Sequence, residues 1–194
     1  MRSFWYINEY PSRRGCPVRY TPNQLIPLND PIWQTFRCAN GGTDALLPLL
    51  LRMGDANSSD LAISDDDWEV LWDTCHQWTT YDSTVAAVPH LIDIAESLTA
   101  QSNVLTELIT LIAASIMVVK NDKPNAPSLA YDKFESSVPA AKRLALQYLE
   151  RIDSRREMCS GLALLAATNN DLELAGAMLE ITDNSIESLN PIGV

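Results

Sequence analysis

From Gly41 onward, apolar residues recur at helical rather than alternating spacing, and the pattern predicts seven α-helical segments. The first, 45–53, carries Leu46, Leu47, Leu49, Leu50 and Met53 as an apolar stripe, with Thr43 as the expected cap, Pro48 in the permissive first turns and Gly54 as the stop. The clearest start lies at Ser64, a capping side chain followed by Asp65, Asp66 and Asp67, whose charges complement the positive end of a helix. Trp68, Leu71, Trp72 and Cys75 then fall on one face, and Asp66, Glu69 and Asp73 on the other. After a turn near 78–80, the segment 82–98 points Val85, Val88, Leu91, Ile92 and Ala95 inward and Asp82, Asp93 and Glu96 outward together. Segment 102–119 is apolar almost all round, which predicts a central helix. Beyond a break at 120–128 containing Pro124 and Pro127 come 130–152, kinked or restarted at Pro139, then 155–168, and finally 171–182 with a cap near Asn170.

Residues 1–40 differ in kind. Pro11, Pro17, Pro22, Pro27 and Pro31 run through an aromatic stretch, which excludes long helix and predicts an extended arm. Its arginines, Arg2, Arg13, Arg14 and Arg19, either ride on the surface or fold back onto acidic groups elsewhere. The expected organisation is this arm, an all-α domain over 41–185, and a fraying tail over 186–194. Antiparallel hairpins joined by short turns are the unit of a short α-solenoid, and a single-core helical bundle reads the same way. An internal likeness favours the solenoid: the stretch from Ser83 to Leu91, with Pro89 inside it, resembles the stretch from Ser137 to Leu144, with Pro139 inside it.

The run from Trp68 to Ile92 resembles a pattern of bacterial HEAT-repeat-like proteins: a helix ending in Leu-x-His-Gln, then Thr-x-Tyr, then a helix with Ala-Ala-x-Pro-x-Leu. Trp33 and the Leu46-Leu-Pro-Leu-Leu segment are similar to what precedes it in that family, so the resemblance covers residues 33 to about 120. It implies an architectural role for His76, Gln77 and Tyr81 at a tight turn between helices, where orphan carbonyls need donors. Trp78 departs from the pattern, which commonly has a small residue there. Some members of that family are immunity or accessory partners of bacterial toxins, and the resemblance extends that expectation to this chain.

Charge sharpens the picture. Between Met53 and Val119 there is no Lys or Arg but there are eleven carboxylates, whereas residues 1–52 carry +3 and residues 120–194 carry −3 of the net −11. A like-charged block repels itself and steers basic partners toward it. The same acidity argues against nucleic acid as a ligand, since that affinity comes from Lys and Arg displacing counterions. The longest apolar run, 108–119, is interrupted by Thr110 and Ser115 and is too short to cross a bilayer, so no membrane partner is expected. Asn8, Glu9 and Pro11 end the only apolar patch near the start, which predicts a cytoplasmic protein. Cys16, Cys38, Cys75 and Cys159 are scattered and expected to be reduced.

No chemical constellation stands out. Cys75 and His76, being adjacent, point about 100° apart on a helix and cannot face each other as nucleophile and base. His90 can approach His76 across the hairpin with Asp93 one turn beyond, but the spacing matches no metal signature, so neither a metal nor a cofactor is expected. Asp65, Asp66 and Asp67 diverge from a helix start and read as helix-end stabilisation. The expected function is therefore a non-enzymatic module that binds a basic protein, in its sharper form a toxin domain acting on nucleic acid. Asp65, Asp66, Glu69, Asp73, Asp82, Asp93 and Glu96 are the expected contacts. A scaffold that binds through the N-terminal arm is the alternative, and the oligomeric state is left open.

Overall fold

Ile26, Trp33 and Phe36 are fully buried, so the folded body begins well before Gly41. The computed structural model describes residues 25–55, 61–98 and 103–183. Asp30 caps a short 3-10 helix, Pro31–Thr35, by accepting a hydrogen bond from the Ile32 N–H at 2.9 Å, and Pro31 takes the first position, where no N–H is needed. Trp33 Nε1 donates to the Pro27 carbonyl at 3.0 Å, and the Trp33 ring meets Phe36 edge to face at 5.3 Å. Residues 25–40 therefore set Ile26, Trp33, Phe36 and Cys38 into the core, while the residues between them stay at or near the surface. Prolines bar long helix but not burial, and burying side chains such as Trp33 and Phe36 is worth about 2 to 3 kcal/mol each. The remainder of the expected arm, 1–24, and the expected tail, 186–194, lie outside the described residues.

The described residues form an all-α structure: α1 (Leu46–Asp55), α2 (Asp65–Trp72), α3 (Asp82–Ser97), α4 (Asn103–Asn121), α5 (Ser128–Leu149), α6 (Arg155–Thr168) and α7 (Leu172–Asp183). The capping chemistry matches the sequence at α2 and α6. In each, the serine before the helix, Ser64 or Ser154, accepts from the N–H three residues on, while Asp67 or Glu157 reaches back to the serine's own N–H. At α1 the Thr43 carbonyl accepts from the Leu47 N–H at 3.0 Å, but its hydroxyl donates to the Trp33 carbonyl at 2.7 Å rather than accepting from the first turn, and the cap expected near Asn170 is Asp171, which accepts from the Leu174 N–H at 3.2 Å. Asn170 instead adopts the left-handed conformation (φ 66°) that follows the end of a helix.

Helix α4 is the centre, packed by α3, α6, α7 and the 3-10 segment Asp73–Trp78. It extends beyond the apolar run 108–119 to 19 residues, so by length and composition it passes as a membrane span, but 72% of the apolar window is buried inside the fold. Its hydroxyls serve the packing: Thr110 contacts Ser160 of α6 at 2.9 Å, and Thr106 contacts Tyr148 of α5 at 2.7 Å. Helix α3 packs on α5 and α4 packs on α6. Pro139 lies inside one continuous α5, without a restart, as Pro89 does in α3. Gly161 permits close approach of α6 to α5, since a Cβ there would stand 2.7 Å from a methyl of Leu149.

Candidate functional site

Helix α2 ends at Trp72 and passes into the 3-10 segment Asp73–Trp78, whose backbone leaves helical geometry at Cys75. That break turns the outer side of α2 into one wall of a groove of about 740 Å³, lined by Asp65, Asp66, Glu69, Asp73, Trp68 and His76 together with Trp72, Val70 and Asn40. No Lys or Arg is among these lining residues. Trp68 and Trp72, expected in the core, are only half-buried: they rest on the core with one side and line the groove with the other. Asn40 joins the groove from the loop before α1 and donates to Asp73 Oδ1 at 2.6 Å, while the Asp73 carbonyl accepts from the Ala39 N–H at 2.9 Å. Nothing local in the sequence marks Asn40, 33 residues away, as a neighbour of Asp73.

The other carboxylates do not join this groove. Asp67 is bound to Arg52 at 2.5 Å and to Ser64, and those hydrogen bonds, Arg52 first, hold its carboxyl well below the usual carboxylate range. Asp82, expected to project outward with Asp93 and Glu96, accepts from the N–H groups of Arg37 at 2.5 Å and Ser83 at 2.9 Å, fastening the loop before α1 to the start of α3. Asp93 is half-buried and lines a different groove, between α1 and α3. Glu96 faces Arg143 of α5 at 3.8 Å, and burial raises its carboxyl against the lowering influence of that guanidinium. Glu107 is likewise paired with Arg156. The expected single acidic face is thus divided, because helices bearing acids pack against helices bearing arginines from the flanking segments.

The turn after α2 is closed by threonines. Thr74 donates to the Leu71 carbonyl at 2.7 Å, Thr84 donates to the Thr74 carbonyl and accepts from the Tyr81 N–H at 3.0 Å, and Thr80 donates to the Asp122 carbonyl at 2.8 Å. His76 and Gln77 are exposed there, and Tyr81 is half-buried immediately before α3. Gln77 (φ 51°) and Trp78 (φ 58°) both adopt the left-handed conformation, which L side chains rarely take. Trp78 is also 47% exposed.

Cys75 is buried and its thiol is pushed up to about 11 by desolvation, against a lowering contact with Ser115, so it stays protonated at neutral pH. His90 is buried too; Nε2 donates to the Ile26 carbonyl at 2.9 Å and the ring lies 5.7 Å from that of Trp33. Burial pulls its imidazole down to about 4. The fold therefore does not assemble His76, His90 and Asp93: His76 lines the α2 groove, whereas His90 and Asp93 line the α1–α3 groove. Among the described residues no group of three or more His, Cys, Asp or Glu is placed to hold a metal ion. Compared with family models, curated proteins and solved structures, the chain has no match in any of the three.

Proposed function

We propose that this chain is a non-enzymatic binding module that receives a basic protein segment in the groove along α2. The observation that carries the reading is the convergence of Asp65, Asp66, Glu69 and Asp73 on one concavity walled by Trp68 and Trp72. Carboxylates in a concave, half-apolar setting attract Lys and Arg side chains more strongly than on a flat surface, and indole faces accept guanidinium groups by cation–π contact. In its sharper form the partner is a toxin domain that acts on nucleic acid, whose cationic cleft offers such side chains, and the chain is its cytoplasmic immunity protein. The toxin element rests on the resemblance of residues 33–120 to HEAT-repeat-like proteins. The packing of α3 on α5 and of α4 on α6 supports only the stacked-hairpin arrangement that this resemblance implies, because stacked hairpins bring equivalent helices together, and α3 and α5 both carry a proline in mid-helix.

Asp66→Asn and Glu69→Lys, alone and combined, test the groove: both side chains are exposed, and among the described residues neither makes a side-chain cap or an ion pair, while the neutral replacement at 66 avoids placing a positive charge in the first turn of α2. Affinity for the partner co-purified from the native host is expected to fall at least tenfold in the double variant, through slower association that grows slower still with added salt. Unchanged affinity with an unchanged melting temperature removes the α2 groove from the interface and returns the question to residues 1–24.

A further inference from the structure

Trp72 is a wall shared by two concavities: it lines the α2 groove and also a smaller pocket of about 180 Å³. The pocket is closed by Cys75, Gln77 and Trp78 of the 3-10 segment, by Thr110 of α4 and by Leu179 of α7. None of these lining residues is charged, and the volume is close to the roughly 150 Å³ that takes up a benzene ring. The rim of the pocket is strained. Gln77 (φ 51°) and Trp78 (φ 58°) are consecutive left-handed residues, a backbone state that is costly for L side chains and persists only where the surrounding structure imposes it. Trp78 is nonetheless 47% exposed, so burial of its ring offsets only part of that cost. A strained, half-exposed indole beside an uncharged cavity has the character of a binding anchor rather than of a core side chain, since tryptophan in a cleft carries an unusual share of interface energy.

From this juxtaposition we propose that the pocket takes one aromatic side chain of the same basic segment whose cationic side chains lie in the α2 groove, and that Trp78 packs against that ring and selects it. The inference rests on the reading of the α2 groove given above and narrows the partner's chemistry. Cationic residues steer the approach, and a neighbouring ring seated beyond Trp72 lengthens the life of the complex.

Two synthetic peptides of equal charge, eight arginines around a central phenylalanine and eight arginines around a central serine, test this when titrated into the full chain by calorimetry. The phenylalanine peptide is expected to bind the unaltered chain at least fivefold more tightly than the serine peptide. Trp78→Asn, which removes the ring but tolerates the left-handed conformation, is expected to bring the two affinities within twofold of each other with an unchanged melting temperature; should it not fold, Trp78→Gly serves in its place. Asp66→Asn combined with Glu69→Lys is expected to weaken both peptides alike. Equal affinity of the two peptides for the unaltered chain, with both still weakened by that double variant, overturns the pocket proposal and leaves the groove reading standing. A preference for phenylalanine that survives a folded Trp78 variant overturns the pocket proposal as well. Absence of binding by either peptide, or binding that the double variant leaves unchanged, removes the groove reading and this inference with it.

Discussion

His90 Nε2 stands 2.9 Å from the carbonyl oxygen of Ile26, a contact that joins the middle of α3 to a residue 64 positions earlier. Burial of the ring, against the opposing effect of this hydrogen bond, depresses the imidazole and couples the fold to pH. The imidazole titrates near 6.5 when the chain is unfolded but near 4 when buried, so the unfolded state takes up a proton first. Stability is unaffected by this group above about pH 6.5 and falls as the pH drops from there toward 4, by a limiting amount on the order of 3 kcal/mol. His90→Gln keeps a donor for Ile26 without titrating. Urea melts at pH 7 and pH 4.5 are expected to show a smaller pH difference for His90→Gln than for the unaltered chain; equal differences rule out this histidine as the source.

Trp33 should behave as a core residue of the domain. It is fully buried against Phe36 and His90, and its carbonyl accepts from Thr43. Trp33→Ala is expected to cost about 3 to 5 kcal/mol in chemical denaturation. Truncation draws the same line: a chain starting at residue 25 retains a cooperative thermal transition, and one starting at residue 41 loses it.

The capping box at α2 separates charges that hold the fold from those available to a partner. Ser64→Ala is expected to lower stability by about 1 kcal/mol, because the Asp67 N–H and the return contact of its carboxylate are both disturbed. Glu69→Gln should lie within about 0.5 kcal/mol of the unaltered chain. Equal losses in the two would mean that the groove acids are structural as well.

Gln77 occupies a conformation that glycine adopts without penalty. Gln77→Gly is expected to raise stability by up to about 1 kcal/mol, the relief of left-handed strain slightly exceeding the added freedom of the unfolded chain. A lowered melting point would show instead that the Gln77 side chain makes a stabilising contact at this turn.

What could be read along the chain were features settled within one or two helical turns. Ser64 with Asp67, the bounds of α6, the burial of Val85, Val88 and Leu91, and the central place of α4 all follow from capping geometry and a 3.6-residue period, which act between near neighbours. The shared face of Asp66, Glu69 and Asp73 was legible for the same reason, whereas Asp65, read as diverging at the helix start, joins them only in the folded groove. The end of α2 was less so, because the chain leaves helical geometry at Cys75 although the apolar spacing continues through it.

Long-range packing decided the rest. Whether a carboxylate stays available depends on what arrives beside it, and for Asp67, Asp82, Glu96 and Glu107 the arriving groups are Arg52, the Arg37 N–H, Arg143 and Arg156. Composition assigned residues 25–40 to an arm, yet Trp33 found His90 and Phe36 and became core. Local preference selects helices at a fraction of a kcal/mol per residue, whereas burial of large side chains and desolvation of charges act at several times that scale between residues far apart in sequence. The sequence by itself thus determined where the helices lie and where the acidity is concentrated; only the tertiary structure decided which acids face a groove and which are bound within the fold.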